Sequence, residues 1–393
     1  SAADPSKSKP GDVVAFYDPL NGSNANDGKT WKTRKKDVPA HPATLPVGGK
    51  IGIRVGSQIP FSFVSAAATW DTSGGAASIV PVDANGNEVM AHGDVFDRIV
   101  LKRQGVYSPE ECANLFFRVY GSDAAQTVAQ GVGIAGTQNL FIRGLWLDNI
   151  PRIGLKPSGT ASWEIEDSYF TRWGGAPSAD TFSGCLMHME STGKGHTFRR
   201  VLAVGDRAGD MLWGSGTVGA ANIKLIDSVF INDTNPVYMN GEHRDGMQLA
   251  KYPGDTRLNR SVIAHALPVD GITATNSDGN TDPIGSVLIC DGNPGVGVVP
   301  GTLVGVDCIL AGTVTALNTF GPGWKFDRSF VGVQRLKSKS GALVPKVITV
   351  MAVNDNAISF NDSGLVLIDS APVDTFFIGK TPIRTGANYD FRS

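Results

Sequence analysis

Lys224-Leu-Ile-Asp-Ser-Val-Phe230 decides the fold, because similar heptapeptides recur along the middle of the chain. In each copy a polar or charged residue and a small residue precede alternating apolar residues. The other copies are Phe141-Ile-Arg-Gly-Leu-Trp-Leu147, Glu164-Ile-Glu-Asp-Ser-Tyr-Phe170, Phe198-Arg-Arg-Val-Leu-Ala-Val204, Leu258-Asn-Arg-Ser-Val-Ile-Ala264, Lys325-Phe-Asp-Arg-Ser-Phe-Val331 and, more weakly, Val304-Gly-Val-Asp-Cys-Ile-Leu310. Their recurrence within residues 138–335 predicts a fold built from repeated units.

The spacing of the copies indicates what the unit is. The polar residues that mark them are Arg143, Asp167, Arg200, Asp227, Arg260, Asp307 and Arg328, with separations of 24, 33, 27, 33, 47 and 21 residues. The interval of 47 has room for two units. Short strands joined by Gly, Asn, Asp, Ser and Pro turns, at variable spacing, favour stacked coils over the regular blades of a propeller. We therefore predict an all-β chain folded as a right-handed parallel β-helix solenoid.

Each coil contains at least one further strand. The additional strand-like segments are Cys185-Leu-Met-His-Met189, Asp210-Met-Leu-Trp213, Asp245-Gly-Met-Gln-Leu249 and Ser286-Val-Leu-Ile-Cys290. Patterns of helical period are nearly absent, so we expect almost no α-helix beyond the N-terminal end.

The beginning of the chain carries a family resemblance. Asn26-Asp-Gly-Lys-Thr-Trp-Lys-Thr33 is followed by Pro46-Val-Gly-Gly-Lys-Ile-Gly-Ile-Arg54. These stretches resemble the opening of secreted and phage-tailspike polysaccharide depolymerases in the pectate-lyase-like β-helix superfamily, and the resemblance in architecture covers roughly residues 14–335. It implies an extracellular location, either secreted or on a virion.

Three regions follow from the repeat and the resemblance. We expect residues 1–60 to form an N-terminal cap that leads into the solenoid, and residues 61–335 to form the β-helix. Residues 336–393 are expected to be C-terminal coils or a β cap. A trimer-forming tail is a third interpretation of this last region, because tailspike members of the resembled group commonly associate as homotrimers.

Composition argues against two classes of partner. Lys plus Arg number 35 and Asp plus Glu number 37, so the chain lacks the basic excess of a nucleic-acid-binding protein. No apolar run is long enough to span a membrane.

The chain has four cysteines, Cys112, Cys185, Cys290 and Cys308, and their spacing is not that of zinc ligands. We expect most of them to be buried thiols, although Cys290 and Cys308 could stack or pair.

The densest group of reactive side chains is Gly241-Glu-His-Arg-Asp-Gly-Met-Gln-Leu249, with Lys251 and Tyr252 close behind. The interior of a β-helix is filled with side chains, so a ligand must lie in an external groove. The resembled proteins carry a similar His-x-Asp-Gly-x-Gln stretch at this kind of position, matched here by His243, Asp245, Gly246 and Gln248. The alternative is structural, with Asp245 and Gly246 as ordinary turn residues and Gln248 in an internal amide ladder.

The two preceding coils add to this group. His188 and Glu190 lie in the equivalent strand of one coil, and Asp206, Arg207, Asp210 and Trp213 lie around that of the next. Coils stack about 4.8 Å apart, so groups on two or three coils are separated by roughly 5–10 Å, as the carboxyl pairs of glycosidases are.

Two reactions fit these residues. In β-elimination, His243 or Tyr252 would remove the proton beside a uronic carboxylate held by Arg244, Arg207 or Lys251. In hydrolysis, Asp210 with Asp245 or Glu190 would supply the two carboxyl groups. The predicted function is a depolymerase of an acidic bacterial or extracellular polysaccharide, with elimination slightly favoured. A glycoside hydrolase and a non-catalytic carbohydrate-binding spike or adhesin are the alternatives.

Each candidate residue has an expected role. The catalytic candidates are His243, Arg244, Asp245, Asp210 and Tyr252. The substrate-binding candidates are His188, Glu190, Arg207, Trp213, Gln248 and Lys251. No cofactor or metal site is predicted, although the superfamily includes Ca²⁺-assisted lyases. Trp173 and Trp213 are candidates for stacking on a sugar, whereas Trp146 and Trp163 are expected to pack between turn and core.

Overall fold

The chain is described from a computed structural model. The described residues are 12–39, 49–60, 68–71, 78–89, 116–121, 132–150, 152–174, 184–205, 210–214, 221–232, 246–249, 254–265, 288–290, 301–312, 315–319, 324–334, 348–352, 358–368, 377–378 and 381–385. Across them the chain winds into stacked coils, and each typical coil contributes one strand to each of three parallel sheets.

The first sheet begins with the N-terminal strand. Its strands are β1 (Val13–Tyr17), β2 (Lys50–Arg54), β5 (Ser78–Val82), β8 (Leu140–Arg143), the first parts of β11 (Trp163–Trp173) and β13 (Gly195–Gly205), β15 (Asn222–Ile226), β18 (Thr256–Asn259), β21 (Leu303–Val306), β24 (Trp324–Asp327) and β27 (Ile358–Asn361).

The second sheet follows the first around a sharp corner. Its strands are β3 (Gln58–Pro60), β6 (Phe117–Tyr120), β9 (Leu145–Ile150), the later parts of β11 and β13, β16 (Val229–Asn232), β19 (Val262–His265), β22 (Ile309–Gly312), β25 (Phe330–Gln334), β28 (Gly364–Ile368) and β30 (Thr381–Thr385). A short antiparallel strand, β29 (Phe377–Ile378), pairs with β30.

The third sheet completes each coil. Its strands are β4 (Ala68–Asp71), β7 (Val132–Gly136), β10 (Ile153–Pro157), β12 (Cys185–Met189), β14 (Asp210–Gly214), β17 (Met247–Gln248), β20 (Leu288–Cys290), β23 (Thr315–Thr319) and β26 (Ile348–Ala352). Each of the four segments predicted as additional strands overlaps a strand of this sheet. Within the described ranges, the one helical element is a 3-10 turn at Trp31–Thr33, and no helix there is long and apolar enough to cross a membrane.

A row of left-handed residues makes the corner between the first and second sheets. These residues are Gly144, Asp167, Arg200, Asp227, Arg260, Asp307, Arg328 and Asp362, with φ between 45° and 68°. From Asp167 onward, acidic and basic residues alternate from coil to coil. Each arginine binds the aspartate of the preceding coil through two nitrogens, as Arg260 binds Asp227 at 2.5 and 2.9 Å. The alternating charges stabilise a corner whose conformation L-residues seldom adopt.

After six of the corner residues, a small polar residue follows, and these six residues form a ladder of side-chain hydroxyl and thiol groups. Its members are Ser168, Ser228, Ser261, Cys308, Ser329 and Ser363. The Ser228 hydroxyl donates to the Ile226 carbonyl at 2.8 Å and accepts from the Val201 N–H of the preceding coil at 3.2 Å. Backbone groups at a tight buried corner are thereby satisfied, which explains why a small polar residue recurs in five of the seven phrases.

Stacked apolar side chains fill the interior. In the first sheet, each of Ile165, Phe198 and Leu225 lies beside the next in register, and all are at most 1 % exposed. Met187 and Leu212 form the matching row of the third sheet. Trp146 and Trp163 are buried, as predicted.

Three sequence-based expectations need correction. Arg143 marks its copy of the repeat in the sequence pattern, but the residue equivalent to Asp167 is Gly144, because Arg143 pairs with Glu166, one residue before Asp167. The 47-residue interval holds one coil, because β18 pairs directly with β21. Trp173 was one of two candidates for stacking on a sugar, but it is 1 % exposed and belongs to the core.

Candidate functional site

Four candidate residues meet on one row of the third sheet. Opposite His188 in β12 lies Trp213 in β14, and opposite Trp213 lies Gln248 in β17. Glu190 follows β12 directly. Trp213, Gln248 and Glu190 are all partly exposed, so the row lies on the outer side of the sheet. Because the register is parallel, residues from separate turns of the chain become neighbours about 4.8 Å apart.

Glu190 lies between two nitrogen groups. Its Oε1 is 3.2 Å from His188 Nε2, and its Oε2 is 3.2 Å from Lys156 Nζ. About a third of the side chain of Glu190, and likewise of Lys156, is exposed, whereas that of His188 is 9 % exposed. The carboxylate is therefore held in place and still reaches solvent.

His188 is neutral at physiological pH. Burial lowers its pKa to about 4; nearby Glu190 opposes this shift, and Lys156 and Arg152 add to it. A neutral imidazole offers one donor and one acceptor nitrogen. The cation beside Glu190 near pH 7 is consequently Lys156, and His188 acts there as a polar group without charge.

Trp213 supplies an aromatic surface next to this group. Its ring centroid lies 4.1 Å from that of His188, with the two planes inclined by 53°. An indole that is held on one side and partly exposed on the other can stack on the apolar face of a sugar. Gln248, on the next coil, extends the row with an amide that can donate and accept hydrogen bonds.

Asp210 lies in a different row. It pairs in register with Cys185, three residues before Trp213 in the same strand, and is 7 % exposed. Its backbone carbonyl accepts the Trp173 indole N–H at 2.9 Å.

The thiol of Cys185 lies beside Asp210. Burial raises the pKa of this thiol well above its ordinary value, and the charge of Asp210 adds to this effect. Cys185 and Cys308 are both buried and free.

The remaining candidates lie outside the described residues: Arg207, His243, Arg244, Asp245, Lys251 and Tyr252. The chain is described again from Gly246, whose carbonyl accepts the Leu212 N–H at 3.1 Å. The predicted catalytic turn therefore leads into the strand next to β14, and the roles of its residues stay predictions.

Another carboxylate on the solenoid is enclosed. Asp148 is 1 % exposed and bound by both Arg118 and Arg172. Burial alone would raise the pKa of Asp148, but hydrogen bonds and charge from Arg172 and Arg118 outweigh it, and the net pKa is lowered. This carboxylate is saturated by its own cations, so the row around Glu190 is the better candidate site.

Comparison with known proteins shows the fold. A solved structure, the crystal structure of pectate lyase Pel9A, is similar over 91 % of this chain and 80 % of that chain, with a TM-score of 0.57 and 12 % identity. The chain is a right-handed parallel β-helix. The fold predicted from the repeat is thus confirmed. No family model matches the sequence, and no curated protein does.

Sequence reasoning missed Lys156 in this β-helix. It lies in β10, a strand outside the recurring phrases, and contacts Glu190 from the preceding coil. A single polar residue between Leu155 and Pro157 was the signal that could have identified it. No group of three or more His, Cys, Asp or Glu in the described ranges could hold a metal ion, so a Ca²⁺ site stays untested.

Proposed function

We propose that this β-helix binds and cleaves an acidic polysaccharide along the outer row of its third sheet. The observation that carries the proposal is the contact set of Lys156, Glu190, His188 and Trp213, which combines a cation, a carboxylate, a neutral imidazole and an indole on adjacent coils. The architecture shared with a pectate lyase supports the same class of substrate.

The row would bind a sugar chain through two kinds of contact. Trp213 would stack on a pyranose ring, and His188 and Gln248 would hydrogen-bond its hydroxyl groups. Removing a stacked indole usually weakens sugar binding, so Trp213→Ala should bind substrate about two- to tenfold less tightly, as expected from an aromatic contact of roughly 0.5–1.5 kcal/mol.

We favour β-elimination as the reaction. A base takes the proton beside a uronic carboxylate, the electron pair forms a carbon–carbon double bond, and the glycosidic oxygen leaves and is protonated. His243 is the proposed base, with Tyr252 as the alternative. Arg244, Arg207 or Lys251 would neutralise the carboxylate, which makes the proton easier to remove.

Hydrolysis is the second candidate, and the exposure of Glu190 favours it. A carboxylate that reaches solvent and is positioned by Lys156 could act as base or nucleophile on the sugar. Asp245 or Asp210 would then protonate the leaving oxygen.

The test is a product assay on uronate-containing and neutral polysaccharides. Elimination produces new reducing ends together with an unsaturated uronate that absorbs ultraviolet light, whereas hydrolysis produces reducing ends alone. His243→Ala should lower elimination by about 10²–10⁴-fold without changing the circular dichroism spectrum. Binding with no cleavage of any substrate would refute the enzyme and favour an adhesin.

An extracellular location and a homotrimer belong to the same proposal. A depolymerase of capsular or matrix polysaccharide must meet its substrate outside the cell or from a virion. Light scattering at a mass near three times 41.4 kDa would support the trimer.

A further inference from the structure

A row of basic residues lies on the first sheet, away from the candidate site. Lys224 in β15 lies opposite Arg257 in β18, Arg257 opposite Val304 in β21, and Val304 opposite Lys325 in β24. All three basic side chains are exposed. We call Lys224, Arg257 and Lys325 the basic row. With coils about 4.8 Å apart, it extends for about 14 Å along the solenoid axis.

The basic row contrasts with the corner three residues further along the same four strands. There the chain places Asp227, Arg260, Asp307 and Arg328 on successive coils, so that each charge faces its opposite. In the basic row, Lys224 and Arg257 face each other directly, and like charges opposite one another destabilise a sheet. The same coils thus place opposite charges side by side at the corner, where the charges stabilise the fold. In the basic row they place like charges side by side, which does not stabilise it.

No acidic side chain in the described part of the chain forms an ion pair with the row. None of the ion pairs found there involves Lys224, Arg257 or Lys325. The acidic member of the row, Glu164, lies two coils before Lys224. Asp255 lies near Arg257 in sequence, but its Oδ1 accepts from the Thr302 hydroxyl at 2.7 Å and the Thr302 N–H at 3.0 Å.

We propose that the basic row is a second, non-catalytic binding surface for a linear anionic polysaccharide that lies along the solenoid axis. A polymer with one carboxylate on each sugar presents repeated charges to the repeated cations, whereas a compact anion would reach only part of the row. Near-neutral net charge disfavours nucleic acid, whose binding needs a broad basic face. The class of ligand rests on the proposed function, but the surface belongs to a different sheet from the Glu190 row.

The experiment measures binding of polygalacturonate and of its fully methyl-esterified, uncharged form. The variant is Lys224→Gln/Arg257→Gln/Lys325→Gln, and the matched control is Lys29→Gln/Lys32→Gln/Lys36→Gln, which removes three exposed lysines from the N-terminal region. Both are made in a Trp213→Ala background, so that the proposed groove contributes less.

The basic-row variant should bind polygalacturonate about tenfold more weakly at low salt, while the control binds as the background does. The difference should shrink as salt screens the charges, and the esterified polymer should not distinguish the variants. An equal loss in both triple variants would show a general effect of net charge and would overturn the proposal. Tighter binding of single-stranded DNA, lost in the basic-row variant, would also overturn it.

The two proposals fail separately. If neither elimination nor hydrolysis is detected, the proposed enzyme fails, but a tenfold loss confined to the basic-row variant still supports the surface. If cleavage is found and the row variant binds normally, the surface fails and the enzyme stands.

Discussion

His196 joins two coils through hydrogen bonds that require its neutral form. Its Nδ1 accepts the Trp163 N–H at 3.2 Å, so Nε2 carries the proton and donates to the Ser191 hydroxyl at 2.6 Å. Burial lowers the pKa of His196 to about 4. Protonation of Nδ1 would replace this acceptor with a second donor, which would face the Trp163 N–H inside the core.

This pKa predicts an acid-sensitive stability. The unfolded chain takes up the proton near the ordinary pKa of 6.5 and the folded chain near 4, so stability is lost as pH falls through that range. The loss from this residue amounts to about 3 kcal/mol. Thermal midpoints measured between pH 7 and pH 4 should fall less steeply in His196→Gln than in the original protein.

His188→Gln serves as the companion variant, because the pKa of His188 is also lowered to about 4. Each single variant should reduce the pH dependence of the thermal midpoint, and the double variant should reduce it further. A pH dependence that is unchanged in His196→Gln would contradict the assignment.

At the scale of structural elements, the serine ladder stabilises the corner through the backbone. Ser228→Ala should lower the free energy of unfolding by about 1–3 kcal/mol, because the buried Val201 N–H loses its acceptor. Chemical denaturation measures this loss. Cys308→Ser is the control: Cys308 already occupies the ladder and its Sγ lies 3.1 Å from the Val306 carbonyl, so it should change stability little. Equal effects from both variants would refute the ladder.

The alternating corner predicts a dependence on charge order. Asp227→Arg places three arginines on successive coils and should lower the free energy of unfolding by about 1–2 kcal/mol. Asp227→Asn removes the ion pair without adding a like charge, so its free energy of unfolding should lie between those of Asp227→Arg and the original protein. Asp227→Arg/Arg260→Asp restores one pair but creates two like-charge contacts, so it should recover stability only in part.

The elements also show what sequence could reveal. The phrase strands and the third-sheet strands were predictable, because alternation and the small polar residue are local signals of a coil. The position of Gly144 at the corner, one residue after Arg143, was not predictable, because only the left-handed backbone of Gly144 distinguishes the two positions. The contact between Lys156 and Glu190 depends on which residues stack across a coil of irregular length, and no local pattern encodes that. The predicted turn around His243 stays untested.

At the scale of the whole molecule, the stacking of coils in the third sheet depends on glycine where two backbones approach closely. A Cβ atom built on Gly133 would lie 2.3 Å from the Gly154 carbonyl oxygen of the next coil. Gly133→Ala should therefore force two coils apart and lower the thermal midpoint strongly. A Cβ atom built on Gly159 would have no neighbour closer than 3.5 Å. Gly159→Ala should therefore lower the free energy of unfolding only by the cost of a left-handed backbone, about 1–2 kcal/mol. A smaller effect at Gly133 than at Gly159 would contradict this packing.

The charge order along the corner also limits how such a chain could have grown. Solenoids lengthen when a segment encoding whole coils is duplicated in the gene. Because aspartate and arginine alternate from Asp167 to Asp362, the corner repeats every second coil. Duplicating one coil would set two aspartates or two arginines side by side, whereas duplicating two coils would preserve the alternation. Gains and losses of coils in this part of the chain should therefore be tolerated best in pairs.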